Sequence, residues 1–253
     1  MVFRFQRSLV LISIFSFSIF IAAMFSSCSI PVEPLNKFKY SVFSILLTSS
    51  SSQTVKINSA NFGKSQGVSG AIVEINGVRL NEDTLWRGIY TVDSIGFVKP
   101  GKVYELKIIV GDYLISGETI VPDSFEIIEP VNKYVEIKAV EGDTVHINLK
   151  WSKGTGVGLY IIEVLSPPVC FQYPDTVICG RGKIKEFFTY DEWANIDINV
   201  KRYGDYIVRI YATDDNYANY VSSKYRFPSV GVENSYGLFA SMSVDSVVVK
   251  ITK

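Results

Sequence analysis

The sequence predicts an all-β chain: two consecutive antiparallel β-sandwich domains behind an N-terminal export segment. Three observations predict it. From Phe38 onward the apolar residues recur mostly with period two, not 3.6, as expected of strands with one face buried. The apolar stretches are short, rich in β-branched and aromatic residues, and divided by Gly, Asn, Asp or Pro. Before them, Arg4 and Arg7 lead into an uncharged apolar run from Leu9 to Phe25, which ends in Ser26, Ser27 and Cys28.

That opening has the layout of a lipoprotein signal peptide over residues 1–27. A cationic start stays at the inner membrane face, a short apolar core enters the bilayer, and small residues open the backbone to a peptidase. The expected modification is acylation at Cys28, with palmitate among the chains added to the mature N-terminus. Phe25 departs from the pattern, because such cleavage boxes usually carry Leu or another aliphatic residue there. Two other readings remain open: a secretory peptide cut near Ala22 or Ala23, and an uncleaved anchor, since the run approaches the ~18 residues a spanning helix needs. All three place the rest of the chain outside the cytoplasm. Residues 28–36, with Pro31 and Pro34, read as a tether.

The first domain is expected over 37–121. Phe38 to Leu47, Ala71 to Ile75, Val103 to Val110 and Tyr113 to Thr119 read as strands, and Asn76-Gly77 and Gly111-Asp112 as tight hairpin turns. A linker follows at 122–132, where Pro122 and Pro130 remove backbone donors and extend the residue before each.

The second domain is expected over 133–253, with clearer alternation. Val145, Ile147, Leu149 and Trp151 share one face of a strand while Thr144, His146, Asn148 and Lys150 share the other. Gly154 to Gly158 read as a hairpin turn into Leu159 to Leu165. Ile196, Ile198 and Val200 alternate, as do Tyr206, Val208 and Ile210, and then Val247, Val249 and Ile251. One short helix is expected around Tyr190 to Asn195, with Thr189 and Glu192 as a capping box.

Composition narrows the function. Among 253 residues, 25 basic and 25 acidic side chains balance, and removing Arg4 and Arg7 leaves 23 against 25, or minus two. The basic residues are scattered singly, which excludes the concentrated cationic face of a nucleic-acid binder. Fifteen Tyr and sixteen Phe favour a folded chain. With Cys28 assigned to lipid, Cys170 and Cys179 remain; outside the cytoplasm such a pair is more often a disulfide than two buried thiols.

Sequence motifs for chemistry are sparse. His146 is the only histidine, so multi-histidine metal sites are excluded, and its strand position turns it away from the apolar face. No Gly-x-Ser-x-Gly or His-Glu-x-x-His pattern occurs. The glycines at 154–158 lack the Lys-Ser/Thr of a phosphate loop and precede a strand. No catalytic residue, metal site or cofactor is therefore expected. Asp214, Asp215 and Asn216 offer oxygens, yet a calcium loop needs further ligands and a bidentate carboxylate. The best binding candidates are Tyr217 and Tyr220 with Asp214 and Asn216, where rings and polar groups interleave as suits sugars or peptides. The alternative is that these tyrosines pack on a sandwich edge.

Two resemblances extend these readings. Thr144 to Trp151, Tyr160 to Val164 and Gly204 to Asp214 together resemble the core-Trp strand, the strand after it and the tyrosine-bearing strand of a fibronectin type III or immunoglobulin-like sandwich. Across the mature chain, Ser69-Gly-Ala-Ile-Val-Glu-Ile75, Gly88-Ile-Tyr90, Pro100-Gly-Lys-Val-Tyr-Glu-Leu106, Ser116-Gly-Glu-Thr-Ile-Val-Pro122 and Tyr236-Gly-Leu-Phe239 are similar to a family of bacterial outer-membrane lipoproteins of unknown function. Its members are often encoded beside TonB-dependent receptors. The resemblance implies an outer-membrane location and a non-enzymatic binding or assembly role, with a receptor protein as partner. The other expectation is a carbohydrate-binding or adhesive module that meets surface glycans through the loop around Tyr217.

Overall fold

Period-two sequence becomes strand from Tyr40 onward. The computed structural model describes residues 37–60, 66–174, 176–224 and 228–253, so Cys28 and the export segment lie outside the described residues. Along the chain come Tyr40–Leu47 (β1), Ser52–Ser59 (β2), Ile72–Ile75 (β3), Val78–Arg79 (β4), Asn81–Glu82 (β5), Ile89–Asp93 (β6), Val103–Val110 (β7) and Tyr113–Ile120 (β8). Then follow Ile127–Glu129 (β9), Tyr134–Lys138 (β10), Thr144–Trp151 (β11), Leu159–Leu165 (β12), Val169–Tyr173 (β13), Thr176–Gly180 (β14) and Lys183–Thr189 (β15). Trp193–Asn199 (β16), Gly204–Thr213 (β17), the helix Asp215–Ser222 (α1), Ser229–Val230 (β18), Val232–Glu233 (β19) and Tyr236–Thr252 (β20) complete it.

Local chemistry explains the turns. Asn76 and Gly77 have φ of 48° and 75°, the left-handed pair that a two-residue hairpin between β3 and β4 requires. Gln53 is buried although polar, because its side chain substitutes for missing backbone partners at the β1–β2 turn. Its Oε1 accepts from Leu47 N at 3.0 Å, and its Nε2 donates to the carbonyls of Leu47 and Ser50.

Two sandwiches result. In the first, a five-stranded sheet ordered β19-β8-β7-β3-β4 faces β1, β2 and β6, and encloses a core that includes Leu46, Ile57, Ile75, Tyr90, Leu106 and Ile115. In the second, the sheet β16-β11-β9 faces β15-β12-β17-β20, around Trp151, Ile162, Ile196, Tyr206 and Val249. The second has an immunoglobulin-like strand order, with β10 running parallel to β20 at the sheet's margin. Tyr206 forms a tyrosine corner: its hydroxyl donates to the Arg202 carbonyl at 2.9 Å, while its ring is buried in the core that also holds Trp151 and Ile210.

The chain passes from the first core to the second between Val121 and Phe125, within the proline-bearing segment. Val232 and Phe239, from the stretch read above as second domain, nevertheless lie in the first core. The reason is β20, a 17-residue strand. Residues Tyr236–Met242 pair parallel with β1, and Met242–Ile251 pair antiparallel with β17, so one ten-stranded sheet runs through both sandwiches. Gly237 permits the entry into β20. It sits at φ 117°, and a Cβ there would meet the Val42 carbonyl oxygen at 1.8 Å.

Two sequence expectations are corrected. Tyr190 to Asn195 is not helical: Trp193–Asn199 is β16, whose backbone is held by a full ladder to β11 from Lys150↔Trp193 to Thr144↔Asn199. Seven paired residues outweigh a weak capping signal, and the helix is α1 instead. Gly154 to Gly158 do not form a hairpin turn. They carry the chain from one sheet to the facing one, since β11 and β12 belong to different sheets.

Candidate functional site

The predicted cluster at 214–220 is the start of α1. Asp214 is extended, with φ −73° and ψ 174°, and its Oδ1 accepts from Tyr217 N at 2.9 Å, satisfying a donor that the first helical turn leaves free. Its other oxygen, Oδ2, faces inward. There the Thr119 hydroxyl of β8 donates to it, and Ser241 Oγ of β20 lies 3.4 Å away. Thr119 Oγ1 and Ser241 Oγ are themselves 2.8 Å apart, and Asp214 N donates to Ser241 O. Asp214 is only 3% exposed. Burial raises its pKa to about 6 against the opposing pull of Thr119, the Tyr217 amide and Ser241.

Asn216 is also used internally. Its amide donates to the carbonyls of Glu118 (2.7 Å) and Phe239 (2.9 Å), fastening α1 to β8 and β20. Tyr217 packs with Leu159, Ile161 and Met242 on the outer face of the long sheet, and Tyr220 sits edge-on to Phe43 at 6.2 Å. The structure therefore brings the four predicted residues together on one short helix and its N-cap. Their polar atoms join the two sandwiches to each other, and the rings cover the sheet where they meet.

His146 stands on the exposed face of β11, with Nδ1 2.7 Å from Asp197 Oδ1 of β16. With side chains 73% and 56% exposed, the pair has no enclosed space for a reacting group. Among the described residues, no three His, Cys, Asp or Glu side chains are grouped to hold a metal ion. An open groove of about 590 Å³ follows β8 and β19, with Leu106, Leu114 and Val232 as apolar lining and Glu105, Lys107 and Glu233 as charged groups. Trp86 and Trp193 are exposed on other surfaces.

Sequence reasoning missed the surface around the cysteines. Cys170 and Cys179 are joined, and they lie opposite each other in the hairpin β13–β14, which among the described residues pairs with no other strand. Alternation was the available signal. Val169, Phe171 and Tyr173 share a face with Ile178, and Phe171 and Ile178 are 61% and 56% exposed.

No protein-family model matches the chain, and no curated protein does. Solved structures of immunoglobulin domains are similar at low identity. A three-domain titin segment, I67–I69 in an E-to-A mutated variant, is 13% identical with a TM-score of 0.19; the match covers 85% of this chain and 64% of that one. The titin tandem A164–A165 is 9% identical with a TM-score of 0.20, covering 85% and 97%. Sidekick-1 immunoglobulin domains 1–5 are 11% identical with a TM-score of 0.22, covering 84% and 39%. Scores this low carry no argument, and the strand order and tyrosine corner described above are what make the chain an all-β protein with immunoglobulin-like sandwich architecture.

Proposed function

We propose that this chain is an exported lipoprotein, held at the outer membrane through Cys28, with a non-enzymatic binding or assembly role beside an outer-membrane receptor of the TonB-dependent class. The observation that carries the reading is the order of the first 28 residues: two arginines, an uncharged apolar run, two serines and a cysteine. Its supports are the tether-like 28–36 segment and a body that offers broad β surfaces. Exposed apolar side chains such as Leu114, Phe188 and Trp193 are the kind of surface that meets another protein. The polar groups read as a glycan site, Asp214 and Asn216, are instead occupied by Thr119, Ser241 and two backbone carbonyls. Crosslinking in intact envelopes, followed by mass spectrometry, tests the role. The expected product joins a residue of the sandwiches to an outer-membrane receptor, and recovery of the chain joined only to itself would count against it.

A further inference from the structure

Among the described residues, the hairpin β13–β14 contributes no side chain to a core, yet its root is tied to the body. The disulfide clamps its two strands. At its root Ser166 N donates to Gly182 O at 2.8 Å, Gly182 N donates to Ser166 Oγ at 3.0 Å, and the Arg181 guanidinium donates to the carbonyls of Ser166 and Asp205. Pairing puts Val169, Phe171, Tyr173 and Ile178 on one face, and Cys170, Gln172, Val177 and Cys179 on the other. In the sequence from Ser166 to Gly180, Asp175 is the only charged residue. A clamped projection that presents Phe171, Tyr173 and Ile178 to solvent joins none of the cores formed by the described residues.

Beside that root lies a cleft of about 290 Å³ bordered by Ser166, Pro167, Lys183, Lys201 and Arg202. Lys183 is held by Glu186 at 2.7 Å, whereas Lys201 and Arg202 take part in no ion pair among the described residues. No carboxylate lines the cleft. Apolar side chains with an aromatic among them suit the boundary between headgroups and acyl chains, and adjacent unpaired cations suit phosphate on an anionic leaflet. A second copy is the poorer occupant, because the cleft has no carboxylate in its lining and a partner hairpin, with Asp175 as its one charged residue from Ser166 to Gly180, brings little counter-charge to Lys201 and Arg202.

We propose that the hairpin β13–β14, through Phe171, Tyr173 and Ile178, together with the cations Lys201 and Arg202 at its root, is a contact site for anionic phospholipid surfaces. It deepens the anchoring reading by giving the body a fixed face towards the membrane, and it stands without lipid on Cys28. The test is the full chain reconstituted in vesicles of phosphatidylethanolamine and phosphatidylglycerol that carry a photoreactive phospholipid, with labelled peptides mapped by mass spectrometry. Label is expected in the 167–184 region, and should fall about fivefold for each of Lys201→Gln and Arg202→Gln. It should disappear in Phe171→Ser/Ile178→Ser, whose melting temperature is expected to match the parent because both side chains are exposed. Label confined to the N-terminal 36 residues would overturn the proposal and leave the anchor standing. Label at 167–184 with an unmodified Cys28 would uphold it and sink the anchor. Equal label on neutral phosphatidylcholine vesicles, loss of label to added inorganic phosphate, or crosslinking of the hairpin to a second copy would each overturn it.

Discussion

Replacing Asp214 by Asn should remove a pH dependence that the joint between the sandwiches imposes on stability. The native carboxyl titrates at about 6, against 3.8 in an unfolded chain, because it is buried between α1, β8 and β20. The native state thus keeps a proton that the unfolded state has already released. Its stabilising effect is complete below pH ~3.8 and is lost as pH rises through about 6, amounting to about 3 kcal/mol in all. Between pH 4 and 7.5 the share is about 2 kcal/mol. Asn keeps the cap on Tyr217 N and offers its amide to the hydroxyls of Thr119 and Ser241, but does not titrate. Urea unfolding of both proteins across that range isolates the effect, since every other carboxyl titrates in both. The variant should gain about 2 kcal/mol on the parent from pH 4 to pH 7.5. A difference that stays flat, or one that favours the parent at high pH, would refute the reasoning.

Three further outcomes are expected. Tyr206→Phe deletes the 2.9 Å hydrogen bond to Arg202 O while leaving the ring in place, so it should cost about 1 kcal/mol in denaturant unfolding; no change would deny the corner a stabilising role. Gly237→Ala sets a Cβ against the Val42 carbonyl at φ 117° and should destabilise by about 3 kcal/mol or more, read as a fall in melting temperature. A melting temperature unchanged from the parent would mean that β20 does not enter beside β1 as described. Reduction of Cys170–Cys179 should abolish hydrogen-exchange protection in 169–180, yet shift global unfolding by well under the ~2–3 kcal/mol that loop closure alone suggests, because the hairpin belongs to no core. A shift of that full size would show that the hairpin unfolds with the body.

Legibility in the sequence followed burial. β11 shows its two faces plainly because Val145 to Trp151 point into the core and Thr144 to Lys150 point to water. β12 and the middle of β20 show no such alternation. Leu159 and Ile161 on one face are covered by Tyr217 and Ala218, while Tyr160 and Ile162 fill the core on the other. The capping signal at Thr189 was local and was overridden by the non-local ladder of β16 to β11. The true cap, Asp214, is indistinguishable in sequence from a polar turn, for α1 spans only eight residues and is held by tertiary contacts. Asp214 and Asn216 resembled surface ligands because their partners are remote: Thr119 is 95 positions from Asp214, and Glu118 is 98 from Asn216. The sharing of β20 between sandwiches was hidden for the same reason.

The most direct test of the membrane-held reading is mass spectrometry of the mature N-terminus from the native envelope. The mature chain is expected to begin at Cys28 and to carry diacylglycerol on its sulfur. An unmodified N-terminus created by cleavage after Ala22 or Ala23, with Cys28 a free thiol, would contradict it.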